Sequence, residues 1–184
     1  MCSLSPDVVL PWPWLTDYRV NNPNKSPKAL LLAPESSVLL KYWHSEKWKL
    51  LSKRMRQDGW CVTLIIQRGD AVSSISPDDF DGIWQGSLTE LGRLVGNSQA
   101  VIAVDSFIGH LAAAMDIPVL SLFSTQLPEL WRPWGKRTAI VVADGYPCRP
   151  CDQKRCVRPY DNCMDVIQVD QVVKAFQRLI DDNK

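Results

Sequence analysis

No apolar run in this 184-residue chain approaches the ~20 residues that a membrane-spanning helix needs. The opening residues, MCSLSPDVVLPWPW, lack the basic n-region of a secretory signal. Charge of either sign is not in excess. The 21 Lys and Arg against 20 Asp and Glu leave a net charge of +1, which removes any general electrostatic case for a nucleic-acid partner. There is no internal repeat and no low-complexity tract. These absences predict a cytoplasmic protein. What is present is ordinary for a globular chain: 46% hydrophobic and 22% charged residues, at a length that supports one medium domain with a real core.

The chain is organised around residues 101–123, VIAVDSFIGHLAAAMDIPVLSLF. The run Val101, Ile102, Ala103, Val104 has the β-branched, all-apolar character of a buried parallel strand. Asp105 and Ser106 are turn and N-cap residue types, placed where that run stops. A compact Ala-rich helix is expected over 110–115, ended by Pro118, with a strand over 119–123. A strand that enters a helix N-terminus through Asp-Ser leaves free backbone N–H groups at the sheet's C-terminal edge. That edge is where open α/β sheets bind ligands, and such N–H groups suit phosphate.

Residues 1–27 differ from the rest. Pro6, Pro11, Pro13, Pro23 and Pro27 mark a linker or wrapping segment, a hinge to something on its N-terminal side. Beyond it, strands are expected at 28–33, 61–66, 82–84 and 138–143. Helices are expected at 46–58, with Ser45 as cap and Gly59 as C′, and from 87 to about 96, where Ser87 and Glu90 have capping-box spacing. A closing amphipathic helix is expected over 166–180, with Val169, Val172, Val173, Phe176 and Ile180 on one side. This alternation predicts an α/β fold, a doubly wound parallel sheet over 28–184. Trp131 and Trp134 are expected to wall their loop against the sheet, as large aromatics do.

Four of the six cysteines form the series Cys148, Cys151, Cys156, Cys163 in the loop 146–163. Two readings stay open. The thiolates could hold a structural zinc, or iron, with all four positions filled. Or they are reduced or partly bridged cysteines that pin a loop without metal. Arg149, Lys154, Arg155 and Arg158 would offset the charge of a thiolate site. Cys2 and Cys61 lie outside the cluster.

Several segments together resemble glycosyltransferase family 9, the heptosyltransferases of lipopolysaccharide core synthesis. They are D-S-x-x-x-H-L-A-A-A from Asp105, followed by P-V-L-S-L-F and W-R-P-W-G; A-P-E-S-S-x-x-x-K-Y-W from Ala33; Q-G-S-L-T-E-L from Gln85; and the cysteine-rich tail ending C-M-D-x-I at Ile167. The resemblance covers roughly residues 30–180. It implies a Rossmann-like domain, the C-terminal half of a GT-B enzyme, that binds a nucleotide-sugar donor, typically ADP-heptose, for an inverting transfer. Acceptor binding and the catalytic base would then belong to a separate N-terminal domain, with a lipopolysaccharide-type acceptor and a place in the cytoplasm at the inner membrane. No catalytic metal is implied.

By the same resemblance, Lys41 would neutralise the diphosphate and Ser36 and Ser37 would donate to it. Ser106 and the N–H groups of Phe107, Ile108 and Gly109 would cradle phosphate at the helix start. Asp105 would orient the turn or contact sugar hydroxyls. Gln85, Gly86 and Ser87 would line the base or ribose pocket, or simply cap a helix. His110 resembles the family's histidine, or is a core histidine holding a carbonyl. Glu35 and Asp70 are positional candidates for a ribose-binding carboxylate. Two departures stand out: Phe107 occupies the position after Asp-Ser that is usually Gly, and Ser124 follows Phe123 where Gly is usual. A different class of function stays open beside the enzyme: a non-catalytic Rossmann-like binding or assembly module, a remnant of such an enzyme.

Overall fold

The computed structural model describes residues 28–69, 75–158 and 162–182. The segment 1–27 and Asp70 lie outside the described residues. Six strands form one all-parallel sheet: β1 (Ala29–Ala33), β2 (Cys61–Ile65), β3 (Gly82–Trp84), β4 (Ala100–Val104), β5 (Val119–Phe123) and β6 (Thr138–Val142). Their order is β3-β2-β1-β4-β5-β6. The connections therefore leave β1 in one direction through β2 and β3, and return on its other side through β4, β5 and β6. The reversal falls between β1 and β4, which pair Leu30 with Ala100 and Leu32 with Ile102. This is the doubly wound, Rossmann-like arrangement, with its switch point at the ends of those two strands.

The period of two along each strand divides the core. Leu30, Leu32, Val62, Leu64, Ile102 and Leu122 face one side, where they meet helices α1 (Ser45–Gln57) and α5 (Val169–Asp181). Leu31, Ala33, Val101, Ala103 and Val119 face the other, against α2 (Leu88–Asn97) and α3 (Phe107–Ala114). Each fully buried Leu, Val or Phe contributes on the order of 1.5–3 kcal/mol of transfer free energy. Trp43 and Trp48 meet edge to face at 5.1 Å on the first side, and the Trp43 indole N–H donates to the Ile167 carbonyl at 3.0 Å. That bond pins the approach to α5 against the approach to α1.

Most element boundaries fall within one or two residues of expectation; others shift for visible reasons. α1 begins at Ser45 itself, because His44 takes the cap: its Nδ1 accepts from the Glu46 N–H at 3.3 Å. α2 starts as expected, with Ser87 and Glu90 closing a reciprocal capping box. α3 starts at Phe107, three residues before the Ala-rich run, since Ser106 already holds extended cap geometry. α5 starts at Val169 because the preceding residues make a separate 3-10 turn, Cys163–Val166.

The packing expectation for Trp131 and Trp134 fails. A short helix, α4 (Pro128–Trp131), and the turn after it carry both indoles outward, 55% and 56% exposed. Pro133 is the residue turned inward there, toward Gly109 of α3.

Candidate functional site

A cleft of about 300 Å³ lies at the C-terminal ends of β1 and β4, at the switch point. Three connections build it. The turn after β1 supplies Glu35, Ser36, Ser37 and Lys41, the last from a 3-10 turn, Leu39–Lys41. The turn after β2 supplies Gln67 and Arg68, and the β4–α3 junction supplies Asp105, Ser106, Phe107, Ile108 and His110. Strands β2, β1 and β4 are neighbours in the sheet, so these turns must converge.

Lys41 and Asp105 form an ion pair across the cleft floor, Nζ to Oδ2 at 2.7 Å, with side chains only 13% and 8% exposed. The pair locks the β1 turn to the start of α3. Ser106 holds the N-cap position of α3, yet its hydroxyl makes no capping bond. That buried Oγ has no hydrogen-bond partner among the described residues. An unpartnered buried hydroxyl costs roughly 1–3 kcal/mol, a cost that a bound acceptor or donor group removes. It lies beside the start of α3, where the Gly109 N–H already donates to the Ser106 carbonyl at 3.2 Å, while the N–H groups of Phe107 and Ile108 have no carbonyl a turn back to receive them.

His110 is exposed on the first turns of α3 and lines the cleft. The core-histidine reading therefore falls. Loss of water around the ring pushes its pKa below the ordinary histidine value; Asp105 opposes that shift and Lys41 adds to it. Phe107 stands at the cleft, 53% exposed.

Other predicted residues are placed differently. Gly109 does not line the cleft. It faces β5, where an added Cβ would come within 3.1 Å of the Ser121 hydroxyl and 3.4 Å of Pro133. Gly86 and Ser87 serve the α2 start: a Cβ on Gly86 would fall 2.8 Å from the Trp84 ring and 2.9 Å from the Glu90 carboxylate. Gln85 reaches the cleft wall indirectly, its side-chain N–H2 donating to the Gln67 carbonyl at 3.4 Å.

Glu35 is buried and is no free sugar ligand. Its carboxylate accepts the Gln67, Arg68 and Gly69 N–H groups at 2.6, 2.8 and 2.6 Å. It clips the turn after β2 onto the turn after β1. Gln67 and Arg68 are the cleft residues that sequence reasoning missed. Their only signal was position, directly after a strand destined to lie beside β1.

The four clustered cysteines surround a second cavity of about 190 Å³. All are free thiols. The Gln153 N–H donates to the Cys151 Sγ at 3.3 Å and the Arg158 N–H to the Cys156 Sγ at 3.4 Å. Burial pushes the Cys163 thiol pKa up, and the neighbouring Cys156 and Cys148 reinforce the shift. The loop is tied to the sheet end by Arg149, whose guanidinium donates to the Ala143 and Gln126 carbonyls at 2.7 and 3.2 Å. Among the described residues, no three His, Cys, Asp or Glu side chains stand close enough to hold an ion as placed. Cys61 is exposed at the start of β2, far in sequence from this loop. No helix among the described residues is long and apolar enough to cross a membrane.

Comparison with known proteins agrees with this arrangement. Lipopolysaccharide heptosyltransferase 1 of Pseudomonas aeruginosa is 32% identical over 123 residues, 63% of this chain and 34% of that protein. Lipopolysaccharide heptosyltransferase 3 of Escherichia coli K12 is 27% identical over 167 residues, 82% of this chain and 46% of that protein. The chain thus spans less than half the length of these curated relatives. Among solved structures, E. coli heptosyltransferase WaaC with ADP shares the fold at a TM-score of 0.70 and 17% identity, over 90% of this chain and 48% of that one. The iron-containing dodecameric glycosyltransferase TibC of enterotoxigenic E. coli shares it at 0.66 and 20% identity, over 84% and 46%. The profile of glycosyltransferase family 9 (heptosyltransferase) matches residues 15–160, and by that match over most of its length the chain belongs to glycosyltransferase family 9.

Proposed function

We propose that the chain is the nucleotide-sugar-binding domain of an inverting glycosyltransferase in lipopolysaccharide core or related glycan synthesis, with ADP-heptose as donor. The observation that carries this reading is the unpartnered, buried Ser106 hydroxyl beside the open N-terminus of α3, in a cleft at the switch point. The diphosphate would lie over the start of α3, with Ser36, Ser37 and Lys41 on its other side. Relatives of the same fold have been solved with ADP and, for TibC, with ADP-D-beta-D-heptose. Acceptor binding, and the base that must reach the acceptor hydroxyl, are assigned to a domain outside these 184 residues. The reading places the protein in the cytoplasm, at the inner membrane where such acceptors are built.

Calorimetric titration with ADP, UDP, GDP and ADP-heptose tests it. Selective ADP and ADP-heptose binding, weakened in Lys41→Ala and Ser106→Ala, is the expected result. Tighter UDP or GDP binding would discard heptose as the sugar. No binding by a folded sample would favour the non-catalytic module, whose specific support is Phe107 standing at the cleft where a glycine would leave the backbone open.

We further infer that Cys148, Cys151, Cys156 and Cys163 hold a structural zinc or iron ion. The donor set and the two N–H···S bonds suit thiolate ligands, although the side chains would have to rotate inward to close on an ion. Such an ion would staple the loop between β6 and α5 and take no part in transfer. Elemental analysis of purified protein should give about one ion per chain, lost in Cys151→Ser/Cys156→Ser. Four freely titrating thiols and no metal would sink the inference.

A further inference from the structure

Without Arg68 the side chains that line the cleft carry a formal charge of −1, unfavourable to a diphosphate; Arg68 cancels it and is the cation there that is not committed to a carboxylate. Lys41 and Asp105 cancel one another at 2.7 Å. Glu35 adds a negative charge, and its two oxygens are filled by three backbone N–H groups. Partial loss of water in the cleft holds His110 toward its neutral form. Arg68 is exposed and lines the same cleft. Among the described residues its guanidinium has no ion pair.

The backbone beneath Arg68 is fixed. Three successive N–H groups pointing one way make an anion-binding nest. Here Glu35 already fills that nest from 32 to 34 residues earlier in the chain. A ligand phosphate therefore cannot use those N–H groups. What the turn still offers the cleft is the Arg68 side chain, anchored at its base. A planar guanidinium matches two phosphate oxygens at once, which a lysine does not.

We propose that Arg68 binds the phosphates of the nucleotide-sugar donor, and that Glu35 is a positioning residue that holds the turn from which Arg68 reaches. This rests on the donor-binding reading and adds to it a second cation, one not already committed to a carboxylate.

The test is calorimetric titration of the 184-residue chain with ADP and with adenosine, at low and high salt. Wild type is compared with Arg68→Ala, Arg68→Lys and Glu35→Gln, and melting temperature serves as the check on folding. Arg68→Ala should weaken ADP binding about tenfold or more, leave adenosine unchanged, and flatten the salt dependence. Arg68→Lys should recover part of the loss. Glu35→Gln should weaken ADP in the same direction, by less, and spare adenosine. Unchanged ADP affinity in Arg68→Ala, or an equal loss for ADP and adenosine, overturns the assignment while leaving donor binding intact. A folded wild type that binds no nucleotide overturns the donor reading and this one together.

Discussion

At the scale of single residues, the ion pair between Lys41 and Asp105 gives the strongest coupling near the cleft. Removing one partner from a mostly dry site leaves the other charge stranded, which typically costs about 3–5 kcal/mol when burial is complete. Lys41→Met should therefore lose about 2–4 kcal/mol in urea unfolding, given the remaining 8% exposure of Asp105. Adding Asp105→Asn should restore part of that loss; strict additivity of the two changes would mean the pair is not coupled. His110 gives a pH-dependent signature. Its folded pKa lies below the ordinary value near 6.5, mainly through partial loss of water around the ring in the cleft. The unfolded chain therefore takes the proton first, and the ring's contribution to stability, present above about 6.5, is lost as pH falls from there toward the folded pKa. A bound diphosphate acts the other way and raises the ring's pKa. Below about pH 6.5 the His110 ring should take up a proton when ADP binds, seen as a buffer-dependent calorimetric enthalpy that differs between wild type and His110→Gln by the proton the ring gains. The residues that could be found from sequence, Lys41, Asp105 and Ser106, follow apolar runs in turn chemistry. The clip formed by Glu35 and the place of Arg68 at the cleft are not legible in the sequence, because they depend on hydrogen bonds across 32 to 34 residues. No local pattern encodes that distance.

At the scale of elements, the helix starts show which signals are local. The α2 start was legible because Ser87 and Glu90 satisfy one another within one turn. The α1 start was not, since His44 and Ser45 both offer a cap acceptor and the geometry of the preceding chain decides between them. Gly86 separates the two roles offered for its segment. Its missing Cβ is needed for the Trp84 ring and the Glu90 carboxylate to close over the turn. Gly86→Ala should disturb that cap and cost about 1–2 kcal/mol in thermal or urea unfolding. ADP affinity, measured well below the melting transition, should stay within about twofold. A large loss of affinity without loss of stability would instead return Gly86 to the ribose or base pocket. The exposed Trp131 and Trp134 mark the opposite failure. Composition favours packing, but a four-residue helix and the turn after it direct Pro133 inward and both indoles outward.

At the scale of the molecule, the parallel sheet followed from the sequence because apolar strands alternate with capped helices and right-handed crossovers leave few topologies. The side of β1 on which each later strand would lie was less evident, and that choice is what brings the turns after β1, β2 and β4 to one cleft. The two faces of the sheet then divide the labour. The residues that line the cleft come from the turns at the switch point and from α3, whereas α5 completes the opposite core. Val172, Val173, Phe176 and Leu179 are buried there, and Phe176 meets Trp60 edge to face at 5.1 Å. Phe176→Ala removes that contact and opens a cavity against the sheet, so it should cost about 3–5 kcal/mol. Since Phe176 lies on the face away from α3, ADP affinity in the folded fraction should remain near wild type at low temperature. Hydrogen exchange should show β6 and α5 losing protection first, while the amides that begin α3 keep their response to ADP. Loss of that response in parallel with α5 would mean the two faces do not act separately, and that the cleft depends on the whole core rather than on the turns that line it.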